Sequence, residues 1–373
     1  MQNSQFFRYK ATHYGLILLL IVTVVLTSIA LINYHVDLNH RWRGSFYRDV
    51  KQSWSENEIF LVPNYNFDER AFLAGISMIV PPYDVLVLGS SRMFLVNSEM
   101  LRQHALFNAA ASTSVIQDYV STWQMIKNNN RIPKYIILGI DPWAFNINSG
   151  MKTWKSNAHL YEQFITGERK EIHFRSPAKI NYQRLFSGSD FLRSLAWIRG
   201  KGYRLGVSPV IDFPIHLHGY RNDGGHLYSP EFMKITSLRE IEAKSRAYVS
   251  KCTNMLLCDW KLDQEAYNQL VRMLKDIKNH NVEVLLILPP YQHEALGLIR
   301  QNPSYLTIIR AYQKLVQDKL LKDTGHFTKL CDAIDPVKLG CDRTEFVDGV
   351  HSRKECVEKM IQYCLSLTGF LQP

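Results

Sequence analysis

Gly15 to Ile32 (GLILLLIVTVVLTSIALI) is an unbroken run of 18 residues without one charge, bracketed by Tyr14 and Tyr34. A helix of that length matches the hydrocarbon thickness of a bilayer, and the aromatic flanks fall where the interfaces would lie. The expectation is a cytoplasmic segment at residues 1–14, a transmembrane anchor at 15–33, a stalk at 34–80 leading into the domain, and the domain itself at 81–373. A cleaved signal peptide is the competing reading, since Arg8 and Lys10 resemble a basic n-region and Ser28-Ile29-Ala30 a small-residue cleavage site. The apolar run exceeds a usual h-region, which favours the anchor.

Orientation does not follow from charge, because Arg8 and Lys10 precede the run while Arg41, Arg43 and Arg48 follow it. The cysteines help. Cys252, Cys258, Cys331, Cys341, Cys356 and Cys364 are even in number and all lie far beyond the anchor. Such a set favours disulfides in an oxidising compartment, hence a single-pass protein of the cytoplasmic membrane with its domain on the periplasmic or extracytoplasmic side. Six buried thiols in a cytosolic domain are the alternative, and no double C-x-x-C spacing suggests zinc. The balance of 44 Lys and Arg against 34 Asp and Glu, a net charge of +10, suits an anionic partner. No recognisable nucleic-acid-binding motif accompanies it.

Past residue 80 a strand–helix rhythm begins. Val85 to Leu88 is a short apolar strand, Ser114 to Lys127 places Val115, Tyr119, Trp123 and Ile126 near helical spacing, and Tyr135 to Ile140 is a second buried strand. The rhythm returns with a helix over Asp263 to Asn279, a strand over Val282 to Leu288 that stops at Pro289-Pro290, and helices over 304–322 and 352–368. Near-continuously apolar strands alternating with helices predict a mostly parallel sheet covered on both faces. Residues 147–250 lack the rhythm and are rich in aromatic, histidine and basic residues, which predicts a cap or lid inserted over the sheet.

In an open parallel sheet, ligands bind at the carboxyl ends of the strands, where Gly89-Ser90-Ser91-Arg92 follows the first one. A helix after this turn would aim its N-terminal amides at a bound anion; the competing reading is that Ser90 or Ser91 simply caps that helix. Far downstream, residues 346–353 read FVDGVHSR. Asp348 and His351 are three apart, so the carboxylate would fix one imidazole tautomer while the other nitrogen faces a serine, the logic of a Ser-His-Asp system. His216, His218, Asp223 and His226 have ligand-type side chains but no helical H-x-x-x-H spacing, so no metal is expected there. The basic stretch from Arg169 to Lys179 reads as a solvated face, or as the place where a cap would meet an anionic glycan or lipid headgroups.

These two ends of the chain resemble the SGNH (GDSL-like) hydrolase superfamily. Gly89-Ser90-Ser91 is similar to the first block, Gly-Asp-Ser, and Asp348-Gly349-Val350-His351 to the last, D-x-x-H. The resemblance implies Ser91 as nucleophile, His351 as its base and Asp348 as orienter. Phe107 to Ser112 (FNAAAS) looks like the second block, where a glycine amide usually joins the oxyanion hole, and Ser112 offers its amide there. Gly139-Ile140-Asp141-Pro142 looks like the third, with Asp141 standing where an asparagine usually donates. An ionised carboxylate donates no hydrogen bond. Ser90, Arg92, Ser112, Asp141 and Asn146 are therefore the expected oxyanion or supporting residues.

The implied fold is a three-layer αβα sandwich of SGNH type. The implied branch is the membrane-anchored one that includes the teichoic acid D-alanyl transfer protein and alginate O-acetylation proteins, which work beside membrane-bound O-acyltransferases. The expected function is that of a serine esterase or O-acyltransferase acting on a cell-envelope polysaccharide without a cofactor. A glycan-binding or assembly protein that kept the fold without activity, and a plain lipid or carbohydrate esterase, are the rivals. Cys356 and Cys364 are about 12 Å apart if both lie on one helix, too far to pair. A bridge from Cys356 to Cys341 or Cys331 would close a loop around Asp348 and His351.

Overall fold

A computed structural model describes residues 2–37, 46–55, 59–62, 68–101, 103–168, 182–199, 207–208, 218–234, 237–250, 259–325 and 327–371. The apolar run lies in helix α1 (Gln2–Val36), within which His13–Val36 is long and apolar enough to cross a membrane. There follow α2 (Phe46–Ser55), β1 (Ile59–Val62), α3 (Glu69–Ile76), β2 (Val85–Leu88), β3 (Leu106–Asn108), α4 (Ile116–Asn128), β4 (Tyr135–Gly139) and α5 (Ala158–Thr166). The middle of the chain holds α6 (Gly188–Ile198), β5 (Val207–Ser208), β6 (His218–Tyr220), β7 (His226–Leu227), α7 (Pro230–Met233) and α8 (Leu238–Ser250). The last part is α9 (Gln264–Asn279), β8 (Glu283–Leu288), α10 (His293–Gln301), α11 (Pro303–Lys314), α12 (Leu321–Thr324), β9 (Thr328–Asp332) and α13 (Lys354–Thr368).

The main sheet has five parallel strands in the order β3-β2-β4-β8-β9. Successive side chains of a strand alternate between its faces, and here both faces are buried. Leu86, Leu88, Ile136, Leu138, Val284 and Leu286 join one apolar cluster with Ile116, Trp123, Leu270 and Leu274 of α4 and α9. Val85, Val87, Ile137, Leu285 and Ile287 join another with Ile241 of α8 and Val357, Met360 and Ile361 of α13. Apart from the exposed Glu283 that opens β8, the central strands are thus near-continuously apolar, as expected of a sheet covered on both sides.

A second, antiparallel sheet has the order β5-β1-β6-β7. Its β1 comes from the stretch expected as a stalk and its other strands from the stretch expected as a cap, so these two regions share one sheet. That sheet abuts the edge of the main one: the Asn108 amide donates to the Asp223 carbonyl, and the His226 amide to the Phe94 carbonyl. The Arg169–Lys179 stretch and His216 lie outside the described residues.

Candidate active site

The turn after β2 departs from expectation. No long helix follows it; Ser91–Met93 is a single 3-10 turn. The reason lies in Asn108, whose Nδ2 donates to the carbonyls of Met93, Phe94 and Val96 and so takes acceptors a continuing helix would need. Gly89 allows the turn to press against β4: its φ is +150°, and a Cβ there would meet the Met93 side chain and stand 3.2 Å from the Gly139 carbonyl. Ser90 is buried and its Oγ accepts from the Arg92 amide at 3.3 Å, which gives it the capping role. Ser91 is half-buried.

The downstream segment forms a closed turn. The Val347 amide donates to the His351 carbonyl at 2.8 Å, and the Gln292 amide to the Gly349 carbonyl at 3.0 Å, which fastens the turn to the chain beyond β8. Asp348 Oδ1 accepts from the Val350 and His351 amides, both at 2.9 Å, and Oδ2 lies 2.8 Å from His351 Nδ1. His351 Nε2 lies 3.0 Å from Ser91 Oγ. The chain thereby brings Ser91 to a histidine 260 residues downstream and the carboxylate that holds it. With Nδ1–H donating to the carboxylate, Nε2 is the acceptor that faces the serine hydroxyl. Burial would raise the Asp348 carboxyl, but His351, the hydrogen bond to it, and the two amides outweigh that and hold it below the usual carboxylate range.

The supporting residues are distributed differently from the sequence reading. Arg92 and Asp141 are both buried and form an ion pair at 2.7 Å. Arg92 Nη2 also donates to the carbonyls of Pro289 and Pro290, and its guanidinium lies 4.6 Å from the centre of the Tyr291 ring. Burial holds the Asp141 carboxyl above its ordinary value, against the pull of Arg92 and the Ser90 hydroxyl. This pair ties the serine turn to the ends of β4 and β8, so Asp141 answers a buried cation rather than standing in for an amide donor. The Ser112 amide is also committed, donating to Glu69 Oε2 at 2.7 Å. The next residue, Thr113, has a φ of +53°, a left-handed conformation that is costly for a β-branched side chain. The Ala111 amide donates to the Gly89 carbonyl at 3.0 Å, so this loop lies against the serine turn. Asn146 is engaged elsewhere: its Oδ1 accepts from the Asn148 and Lys261 amides, both at 3.1 Å.

Three aromatic residues of the 147–250 stretch complete the surroundings and were not read from the sequence. Tyr228 donates its hydroxyl to the Ser91 carbonyl at 3.0 Å and stacks on Phe232 at 4.6 Å, and both rings meet His351 edge-on at 6.2 and 5.8 Å. Burial, with the nearby Asp348 and Glu69, keeps the Tyr228 phenol protonated. Tyr248 of α8 packs its ring against Gly349 between Asp348 and Val350. Of the histidines weighed as metal ligands, His218 and His226 are described, and both are engaged in packing. His226 is buried with its ring 5.0 Å from His218, His218 Nδ1 accepts from the Ser229 amide, and Asp223 accepts from Ser98 and Gly225.

Cys341 pairs with Cys356, one of the two bridges expected, and Cys331 with Cys364, which joins β9 to α13. Cys252 and Cys258 lie outside the described residues. The first bridge spans 15 residues and encloses Asp348 and His351. Closing a loop of that size stabilises a fold by about 3 kcal/mol. Replacing Cys341 and Cys356 together by serine is expected to lower the stability of the full chain by about that amount. Non-reducing peptide mapping of the parent chain should recover both pairs; free thiols at these positions would overturn the assignment.

No protein-family model matches the chain, and a search of the curated proteins returns no match.

Proposed function

We propose that the protein is a membrane-anchored serine esterase or O-acyltransferase, with an SGNH-type three-layer domain outside the cytoplasmic membrane, acting on a cell-envelope glycan. One observation carries this reading: Ser91 Oγ, His351 and Asp348 form a continuous hydrogen-bonded chain with links of 3.0 and 2.8 Å. Ser91 attacks the acyl carbonyl while His351 Nε2 takes its proton, and Asp348 stabilises the imidazolium. His351 then returns the proton to the leaving group, and water or a sugar hydroxyl resolves the acyl-serine. The Ser91 amide is the candidate donor to the oxyanion, since the Ser112 amide and Asp141 are engaged. The strand order β3-β2-β4-β8-β9 and the apolar clusters on both faces support the fold type. The disulfides support an oxidising compartment, and α1 supports the anchor. A membrane-bound O-acyltransferase that supplies the acyl group is the partner this chemistry suits.

A serine-reactive fluorophosphonate is expected to label the folded full chain, with labelling lost in Ser91→Ala and retained in Ser90→Ala. A folded chain that takes no label would instead favour a glycan-binding or assembly role, the reading that the engaged Ser112 amide and Asp141 support. Rapid hydrolysis of p-nitrophenyl acetate without a polymer acceptor would favour a plain esterase.

A further inference from the structure

Asn33 follows the last residue of the uncharged run, and it is buried and engaged. Its Nδ2 donates to the carbonyls of Leu185 and Ser187 at 2.8 and 3.1 Å, and its Oδ1 accepts from the Ser194 hydroxyl at 3.3 Å. These bonds clamp the short 3-10 helix Tyr182–Phe186 and α6 to the end of α1. At 1.5 Å per residue the uncharged run is about 27 Å long, close to the hydrocarbon thickness of a bilayer. When α1 spans the membrane, Asn33 and the elements bonded to it therefore stand at the boundary between acyl chains and headgroups.

The surface of those elements fits that level. Tyr182, Phe186, Leu192 and Ile198 are 70%, 53%, 65% and 57% exposed, a concentration of large apolar side chains within 17 residues. Other large exposed apolar residues of the domain, such as Ile147, Val337 and Leu367, are spread far apart along the chain. Scattered exposures of that kind are ordinary, whereas a cluster marks an interaction surface. The same segment carries Arg184, Arg193 and Arg199 against one acidic residue, Asp190, which lies 3.8 and 3.9 Å from the first two arginines. Aromatic and aliphatic residues interspersed with arginine are the composition of helices that lie in the plane of the interface.

We infer that residues 182–199 form a second membrane contact, an interfacial helical elbow that beds Tyr182, Phe186, Leu192 and Ile198 into the bilayer crossed by α1 and presents its arginines to anionic headgroups. The elbow makes the anchor a two-point attachment, which limits swivelling of the domain about α1. The inference rests on the membrane reading of α1 and is independent of the chemistry at Ser91.

The test is photo-crosslinking of the full chain in nanodiscs of phosphatidylcholine with a minority of phosphatidylglycerol. Benzoylphenylalanine is placed singly at Leu192, Ile198, Val24 within α1, and Val337 as a surface control. Lipid adducts are expected at positions 192, 198 and 24 and absent at 337. Adducts at 24 without adducts at 192 and 198 would overturn the elbow while leaving the anchor standing. Crosslinks from 192 or 198 to a second copy of the chain would overturn it too, by making this face a self-association surface. Lack of adducts at 24 would remove the anchor and the elbow together, and none of these outcomes bears on labelling at Ser91.

Discussion

Asp348→Asn is expected to leave the fold intact and to lower the rate of acyl transfer from Ser91 by about four orders of magnitude. Asparagine keeps an oxygen that can accept from the Val350 and His351 amides, so the 347–351 turn retains its backbone bonds. Its amide nitrogen, however, donates toward His351 Nδ1. The imidazole proton then moves to Nε2, which faces Ser91 Oγ across 3.0 Å, and the base becomes a donor to the group it should deprotonate. Rates of hydrolysis and of fluorophosphonate labelling check this. A fall of less than about tenfold would mean that the carboxylate does not act through the histidine. Asp348 also predicts an acid dependence of stability. Its carboxyl is held below the ordinary value, so the folded state favours the ionised form. That stabilisation is complete well above the unfolded-state value of about 3.9 and is lost as pH falls through the lower folded value.

Asp141→Asn, the change that replaces the carboxylate by an amide able to donate, is expected to damage the protein rather than improve it. The substitution removes the counter-charge of Arg92, which is buried and always protonated. Breaking one side of a buried pair costs about 3–5 kcal/mol, because an uncompensated charge stays in the interior. For the full chain in detergent this corresponds to a fall in Tm on the order of 10 °C. Replacing the pair together, Arg92→Met with Asp141→Leu, is expected to recover most of that loss, since two charges leave the interior at once. An unchanged Tm in Asp141→Asn would show that Arg92 draws its compensation from the Pro289 and Pro290 carbonyls alone.

The parts of the fold legible in the sequence are those whose burial is local in pattern. Val85–Leu88 and Glu283–Leu288 are central strands with both faces covered, so they read as short apolar runs. Residues 304–322 read as one helix and are helical throughout, though a π-helical stretch at Leu315–Leu320 joins two α segments. The edge strands were not legible: Leu106–Asn108 has three residues, and Thr328–Asp332 carries the half-buried charged residues Lys329 and Asp332. The small sheet was hidden for another reason, because β1 finds its partners only in the 147–250 stretch. The Ser91, Asp348 and His351 triplet was legible because short motifs hold each end of it. Arg92 opposite Asp141, Glu69 at the Ser112 amide, and Tyr228 at the Ser91 carbonyl depend on tertiary approach, which neither spacing nor periodicity reports.

The strand order of the small sheet also bears on how the chain is made. Strand β1 is apolar, its Ile59, Phe60 and Leu61 are buried, and it is flanked on both sides by strands synthesised well over a hundred residues later. During N-to-C synthesis, Ile59–Val62 therefore emerges soon after α1 and waits with two unpaired edges, while β2, β3 and β4 already have one another to pair with. An unpaired apolar strand is a template for wrong partners. The main sheet can begin to assemble before the strand that precedes it, whereas β1 stays unpaired until β5 and β6 have been made.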